Sequence, residues 1–228
     1  MGVGGVLMVS FLALFGGLSI HQAAATSLFS FLFTGLLGTW LYQRRGTIAW
    51  HVAAPVCAGA LVFGCLGALT AASIDSRPLA IIIALVIVAA GAYIFVPPPA
   101  AALHRDGRGW REQALLAGVG AASGFGSGLS GAGGPLFSVP FMVILRYVPL
   151  TAVATSQVLQ IVAAASGSLG NLRYGFIDWT AAAVITVFEL AGVMIGVRLA
   201  HVASALALRR LAGALCVVTG ALLLARSL

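Results

Sequence analysis

The sequence predicts an all-α polytopic membrane protein made of two homologous repeats of about four membrane elements each, with Gly-broken or re-entrant half-helices. Composition carries the first part of that reading. Of the 228 residues, 61% are hydrophobic and 7% are charged, with a mean hydropathy of +1.10, whereas soluble domains hold about 25% charged residues. Runs such as Pro78–Val96, Thr180–Arg198 and Leu206–Leu224 approach or reach the roughly 20 apolar residues that cross about 30 Å of hydrocarbon. The repeat carries the second part. An offset of 129 positions takes Gly2, Gly4 and Gly5 to Gly131, Gly133 and Gly134, and Thr26-Ser27 to Thr155-Ser156. It also takes Arg44, Gly46, Ile48 and Trp50 to Arg173, Gly175, Ile177 and Trp179. Duplicated membrane units of this kind belong to pseudo-symmetric transporters, whose site lies between the copies.

The first repeat is expected over residues 1–96, a polar linker over 97–112 and the second repeat over 113–228. The first copy reads as Gly2–Leu18, a span from Ser19 to about Tyr42, a turn at Arg44–Trp50, a span to about Ala72 and another from Pro78 to Val96. Pro97-Pro98-Pro99 stops that helix, and His104–Arg111 is the one sizeable polar stretch. The second copy reads as Ala114–Arg146, a span from Pro149 to about Leu172, then Asp178–Arg198 and Ala205–Arg226. Trp50, Trp110 and Trp179 stand beside polar turns, where interfacial anchors belong. The first copy opens directly on its Gly motif, so it is expected to lack an N-terminal half-segment. With Arg44 as the first basic residue, no cleaved signal is expected.

Ala114–Arg146 is too long for a single span without strong tilt. Its centre, Gly124 to Gly134, is a poor helix interior, since each Gly costs about 1 kcal/mol relative to Ala. Two half-helices meeting at a Gly-rich break are expected, with Pro135 suited to the first position of the second. The break either carries the chain onward or turns it back as a re-entrant hairpin, and arginine placement separates these. All 12 basic residues are Arg. Eight plain crossings set Arg44, Arg45, Arg105, Arg108, Arg111, Arg173 and Arg226 against Arg77, Arg146, Arg198, Arg209 and Arg210. Re-entrant elements set Arg44, Arg45, Arg105, Arg108, Arg111, Arg146, Arg198, Arg209 and Arg210 against only Arg77, Arg173 and Arg226. The positive-inside rule favours the second arrangement. Each copy then has an odd number of crossings, so the repeats are inverted in the membrane.

Non-helical backbone at membrane depth is tolerated only where it is buried in protein or lines a wet cavity. Half-helices starting after Gly5 and Gly134 would aim free N–H groups at the bilayer centre, which makes an anion site without a cationic side chain. Gly4, Gly5, Gly131, Gly133, Gly134 and Pro135 are therefore candidate substrate-binding residues. Thr26, Ser27, Thr155 and Ser156 offer hydroxyl donors to the same oxyanion, against the alternative of back-bonding to their own helix. Gln157 and Gln160 are amides on the same second-copy helix and are added to the set. Glu189 is the one acid deep in an expected span and a candidate for proton coupling, although its counterpart in the first copy is Ala60. Asp178 reads as an N-cap.

Other chemistry is poorly supported. The arginines are scattered singly, which argues against nucleic acid. Cys57, Cys65 and Cys216 form no paired motif, the four histidines form no metal-ligand cluster, and no cofactor is expected. Gly128-Leu129-Ser130-Gly131 matches the Gly-x-Ser-Gly string of rhomboid proteases, a chemistry that needs a His within hydrogen-bond reach. An anion channel is the alternative within transport. The expected partners are a small anionic substrate and the lipid bilayer, with a homo-oligomer left open.

At these residues the chain resembles the sulfite exporter TauE/SafE family, also grouped with the 4-toluenesulfonate uptake permeases. The resemblance rests on Gly2-Val-Gly-Gly5, His21-Gln-Ala-Ala-Ala-Thr26-Ser27, Arg44-Arg-Gly-Thr-Ile-Ala-Trp50 and Gly131-Ala-Gly-Gly-Pro-Leu-Phe-Ser-Val-Pro140, with Gly196–Ala200 and Leu208–Leu211 also similar. It implies a bacterial inner-membrane permease for small sulfur-containing anions such as sulfite or organosulfonates. Two departures fall in the first half-site: Val6 where the family often has a third Gly, and Phe11 at the place matching Pro140.

Overall fold

The computed structural model describes residues 3–95, 109–174, 176–199, 214–215 and 217–225. Among these residues eight helices follow one another up to Leu199: α1 (Val3–Leu14), α2 (Ile20–Arg44), α3 (Trp50–Ser73), α4 (Ser76–Phe95), α5 (Trp110–Ser130), α6 (Pro135–Ile144), α7 (Pro149–Leu172) and α8 (Trp179–Leu199). No strand occurs among the described residues. Three of the helices, α2, α3 and α7, are by length and composition long and apolar enough to cross a membrane. A further helical stretch, 217–225, packs on α4, where a Cβ on Gly220 would meet Ile87 and Val88 at 2.8 Å. Most of the expected linker and Arg105, Arg108, Arg209, Arg210 and Arg226 lie outside the described residues.

The helix ends follow local chemistry. Ser19 caps α2 with a reciprocal box: its hydroxyl accepts from the Gln22 N–H at 3.2 Å, and the Gln22 side chain accepts from the Ser19 N–H at 3.1 Å. Pro149 opens α7 at its first position, where a missing N–H costs nothing. Asp178 accepts from the Ala181 N–H at 2.9 Å and so caps α8. The starts of α2 and α7, at 20 and 149, and of α3 and α8, at 50 and 179, keep the offset found in the sequence.

Small residues set the packing. Gly120, Gly124 and Gly128 recur every four residues on α5 and meet Val56, Ala60 and Gly64 of α3 in turn, so these two helices run the same way. A Cβ on Gly124 would stand 2.7 Å from the Ala60 Cα, and one on Gly128 would stand 2.8 Å from the Ala68 nitrogen. Neither space admits a side chain. Between α2 and α7 the order reverses: Leu28 meets Gly167, Phe31 meets Gln160 and Gly38 meets Gln157, so this pair is antiparallel.

This corrects the expected shape of the Gly-rich element. Residues Gly124–Ser130 are helical, and the break is confined to Gly131–Gly134. With 21 residues, α5 is about 31 Å long, a full-length helix rather than a half. Close packing of its glycine stripe against α3 offsets the poor helix propensity of those residues. The 10-residue α6 is the half-helix, and it folds back along α5. A Cβ on Gly126 would meet the Phe137 ring at 3.0 Å, and the Tyr147 hydroxyl donates to Glu112 Oε1 at 2.6 Å. The chain at Arg111 and the chain at Arg146 thus lie at the same end of the bundle, as a hairpin requires and a straight passage does not.

Candidate functional site

The break is built by two glycines in left-handed backbone. Gly131, at φ 66°, closes α5 with its N–H on the Ser127 carbonyl at 2.8 Å, and Gly133 has φ 82°. Both are conformations that L side chains resist. The turn is buried between α2 and α7: Gly131 lies on Ala24, Gly133 faces the Phe31 ring at 3.3 Å, and Gly134 abuts Leu159 and Gln160. Pro135 takes the first position of α6. At this helix start the Ala132 N–H donates to the Ser130 hydroxyl at 3.3 Å, and the Gly134 carbonyl accepts from the N–H groups of Phe137 and Ser138. The N–H groups of Gly133, Gly134 and Leu136 have no acceptor among the described residues. Free donors and the positive end of a helix dipole thus meet in a buried turn, an arrangement suited to a small anion.

The expected first-copy half-site differs. α1 begins at Val3, so Gly4 and Gly5 lie in its first turn rather than ahead of it. That helix packs on α2 and α4, whereas Gly131, Gly133, Gly134, Pro135 and Gln160 come together between α2 and α7.

The hydroxyls divide by partner. Ser156 donates to the Val153 carbonyl at 2.7 Å, the back-bonded state that leaves least for a ligand. Thr26 accepts from the Asp178 N–H at 3.1 Å, which ties α2 to the start of α8. Ser27 and Thr155 are fully buried, and neither hydroxyl has a partner among the described residues. Buried polar groups in native proteins are nearly always bonded, so these two mark places where a ligand or water belongs. Gln157 lies against Gly38, where a Cβ would come within 2.9 Å of its Cδ. Gln160 commits its amide nitrogen to the Phe31 carbonyl at 3.0 Å and to Thr34 Oγ1 at 2.8 Å. Because both N–H donors point into α2, this amide joins two helices and offers only its oxygen elsewhere.

Both carboxylate oxygens of Glu189 are buried without a hydrogen bond among the described residues. The neighbouring Ser30 hydroxyl donates instead to the Ser27 carbonyl at 2.9 Å. Ser130 donates to the Gly126 carbonyl at 2.6 Å, so it is not held as a nucleophile by a histidine.

Sequence reasoning missed two groups. His21 Nε2 lies 3.2 and 3.0 Å from the Ala71 and Ile74 carbonyls, and Ser76 Oγ lies 3.2 Å from His21 Nδ1. This fixes the proton on Nε2 and ties α2 to the α3–α4 turn. Ser123 and Ser127 of α5 are fully buried with unpaired hydroxyls. Their spacing of four residues beside the glycine stripe was the available signal.

The chain is 26% identical over 204 residues to the "Probable membrane transporter protein YdhB" of Bacillus subtilis (strain 168), an alignment covering 87% of this chain and 82% of that protein. No solved structure matches. The family model described as "Sulfite exporter TauE/SafE" matches residues 1–223. The chain is a membrane transporter-type protein and belongs to the sulfite exporter TauE/SafE family.

Proposed function

We propose that this protein is a secondary transporter of small sulfur-containing oxyanions, sulfite or an organosulfonate, in the bacterial inner membrane. The single observation that carries the reading is the buried Gly131–Gly134 turn, whose N–H groups at Gly133, Gly134 and Leu136 lack acceptors among the described residues. An oxyanion is the ligand those donors suit, and the unpaired Ser27 and Thr155 hydroxyls add neutral donors. No arginine need touch the anion in such a site.

The repeats are inverted in this reading. Helix starts that keep the 129-residue offset, the antiparallel α2–α7 pair and the α5–α6 hairpin all support it. Substrate then lies near the midplane, and one repeat rocks against the other to expose it to either side. Glu189, buried in α8 without a hydrogen bond among the described residues, is the proton-coupling group.

The deciding experiment is counterflow in proteoliposomes with sulfite, sulfate, thiosulfate and several sulfonates, with and without a proton gradient. Saturable uptake that a gradient drives uphill is expected for at least one sulfur oxyanion. Non-saturating flux that cannot be driven uphill would establish the channel instead. Gly133→Ala and Gly134→Ala are expected to reduce flux at least tenfold, and wild-type flux in both variants would remove the turn from the site.

A further inference from the structure

Asp178, Ala182, Ile185 and Glu189 follow one another at the spacing of a single helix face. That face of α8 turns inward onto α2. The Asp178 N–H donates to Thr26 Oγ1, Ala182 and Ile185 are buried, and both Glu189 carboxylate oxygens are enclosed. On α2, Ser30 lies one turn beyond Thr26 and so on the face that meets α8. It is fully buried, and its hydroxyl neighbours the Glu189 carboxylate. That hydroxyl is nonetheless spent on its own helix. It donates to the Ser27 carbonyl at 2.9 Å, while the carboxylate accepts no hydrogen bond among the described residues.

The repeat shows that helix packing does not require this pair. The 129-residue offset takes Ser30 to Leu159 and Glu189 to Ala60, and those two belong to one apolar cluster with Val56 and Ala163. A hydroxyl and a carboxyl thus stand where the other copy closes the matching helix pair with a leucine and an alanine. Other titratable groups are distant. On α2 they are His21, Tyr42 and Arg44, and on α8 and its cap Arg198 and Asp178, each more than two turns along its helix from Ser30 or Glu189. Helix α1, whose Val9 and Leu12 share an apolar cluster with Ile185, has none. Thr186, one turn before Glu189, spends its hydroxyl on the Ala182 carbonyl at 2.6 Å.

We propose that Ser30 is a positioning residue for proton coupling, its hydroxyl exchanging between the Ser27 carbonyl and the Glu189 carboxylate. The proposal rests on the transport reading above and deepens it, because it joins the coupling acid to the stretch of α2 that carries Ser27. A buried charge is tolerated where hydrogen bonds satisfy it. With Glu189 ionised, the Ser30 O–H donates to the carboxylate. With Glu189 protonated, the acid O–H donates to Ser30 Oγ, and the Ser30 O–H returns to the Ser27 carbonyl, the bond observed here. No covalent bond changes at Ser30, and the proton that Glu189 gains or loses does not pass through it. Serine back-bonding bends a helix locally, so each exchange alters α2 beside the anion site.

The test uses the full chain in proteoliposomes with sulfite as the probe. Counterflow without a gradient and accumulation driven by a proton gradient are measured on the same preparations. Loss of a hydrogen bond to a charged group corresponds to about tenfold, and Ser30→Ala is expected to lower driven accumulation by about that factor. Its counterflow should stay near wild type. Added to Glu189→Gln, Ser30→Ala should change nothing further, and Thr186→Val alone should leave both activities at wild type. Wild-type accumulation in Ser30→Ala would overturn the proposal and leave the transport reading standing. A parallel loss of counterflow, a further loss in the Glu189→Gln background or an equal loss in Thr186→Val would assign Ser30 to α2–α8 packing, which also overturns it. Driven accumulation that survives Glu189→Gln would remove the coupling role of Glu189, and absence of flux for every sulfur oxyanion in the wild type would remove the transport reading. The proposal falls with either.

Discussion

Gln160 donates its side-chain N–H to the Phe31 carbonyl at 3.0 Å, and the two residues are 129 positions apart, the offset of the repeat. In the repeat relation proposed above, equivalent positions touch only where a symmetry axis passes between the copies. Contacts along α2 and α7 run in opposite directions on either side of this point, with Gly38 against Gln157 and Leu28 against Gly167. The inverted repeats proposed above call for a two-fold axis in the membrane plane, and such an axis would cross these two antiparallel helices at this point. The pair is also asymmetric, because the equivalent of the glutamine is a phenylalanine. Gln160 and Thr34 therefore form a polar latch that one repeat extends to the other and does not receive.

Gln160→Leu should therefore weaken the α2–α7 interface. It removes bonds at 3.0 and 2.8 Å and leaves the helix-bonded Phe31 carbonyl otherwise satisfied. A net cost of about 1–2 kcal/mol is expected at the rate of about 1 kcal/mol per bond. Thermal unfolding in detergent measures it. Relative uptake among different sulfur anions should stay unchanged, because the amide nitrogen is already committed. A switch in substrate preference without loss of stability would make Gln160 a ligand of the anion.

Gly131→Ala and Gly133→Ala separate folding from binding. A methyl group on Gly131 would stand 2.5 Å from the Ala24 Cα in a left-handed conformation, and neither backbone can yield. This variant is expected to fail in expression or to melt far below wild type. Gly133 meets only the Phe31 ring at 3.3 Å, so the cost there is mainly the left-handed strain of about 1–2 kcal/mol. Gly133→Ala should fold and lose flux. Size-exclusion profiles and flux, measured on the same preparations, distinguish the two outcomes.

How far the sequence discloses this arrangement depends on whether a feature is local. The starts of α2 and α7 are legible because Ser19 and Pro149 are capping and first-turn residues whose chemistry acts within a few positions. The turn at Gly131–Gly134 is legible because left-handed backbone calls for glycine. Its limits are not, because Gly124 and Gly128 resemble the breaking glycines in composition but serve α3, a partner more than 50 residues away. Their four-residue spacing separates them once α3 is considered. The direction in which Gln160 spends its donors is a tertiary fact with no local signature. The pairing of Thr26 with Asp178, by contrast, joins two residues singled out separately for different reasons.

Arg146 is the one described non-glycine residue with positive φ, at 65°. It follows the last turn of α6, with its N–H on the Val143 carbonyl at 2.9 Å and the next N–H, from Tyr147, on the Met142 carbonyl at 3.0 Å. Glycine is the residue this position favours. Arg146→Gly should stabilise the protein by up to about 1 kcal/mol, which raises the melting temperature by about 2–4 °C for a chain of this size. A drop would mean that the arginine side chain contributes more than its backbone costs.

Glu189→Gln tests the coupling role apart from binding. The substitution keeps the volume and removes the titratable proton. Gradient-driven accumulation is expected to fall to background, while sulfite counterflow without a gradient persists at a substantial fraction of wild type. Loss of both would place Glu189 in the structure of α8 or in the substrate site, and retention of both would end its candidacy.

Topology offers the most direct check on the hairpin. Gly109 has open space at its Cβ, and Leu150 and Tyr174 are 53% and 46% exposed, so each accepts a cysteine, at Tyr174 with loss of the stacking of its ring on Phe176. Single cysteines at these positions, in a background with Cys57, Cys65 and Cys216 replaced, are labelled in intact cells with an impermeant thiol reagent. Because α6 returns along α5 and ties Tyr147 to Glu112, Gly109→Cys and Leu150→Cys should share one face of the membrane. After α7 crosses, Tyr174→Cys should lie on the other face. The arginine distribution makes that the outer face, so only Tyr174→Cys should react before the cells are permeabilised. Opposite behaviour of the Gly109 and Leu150 probes would mean that the chain passes straight through at Gly131–Gly134, and inverted repeats would then be excluded while the anion-binding turn remained.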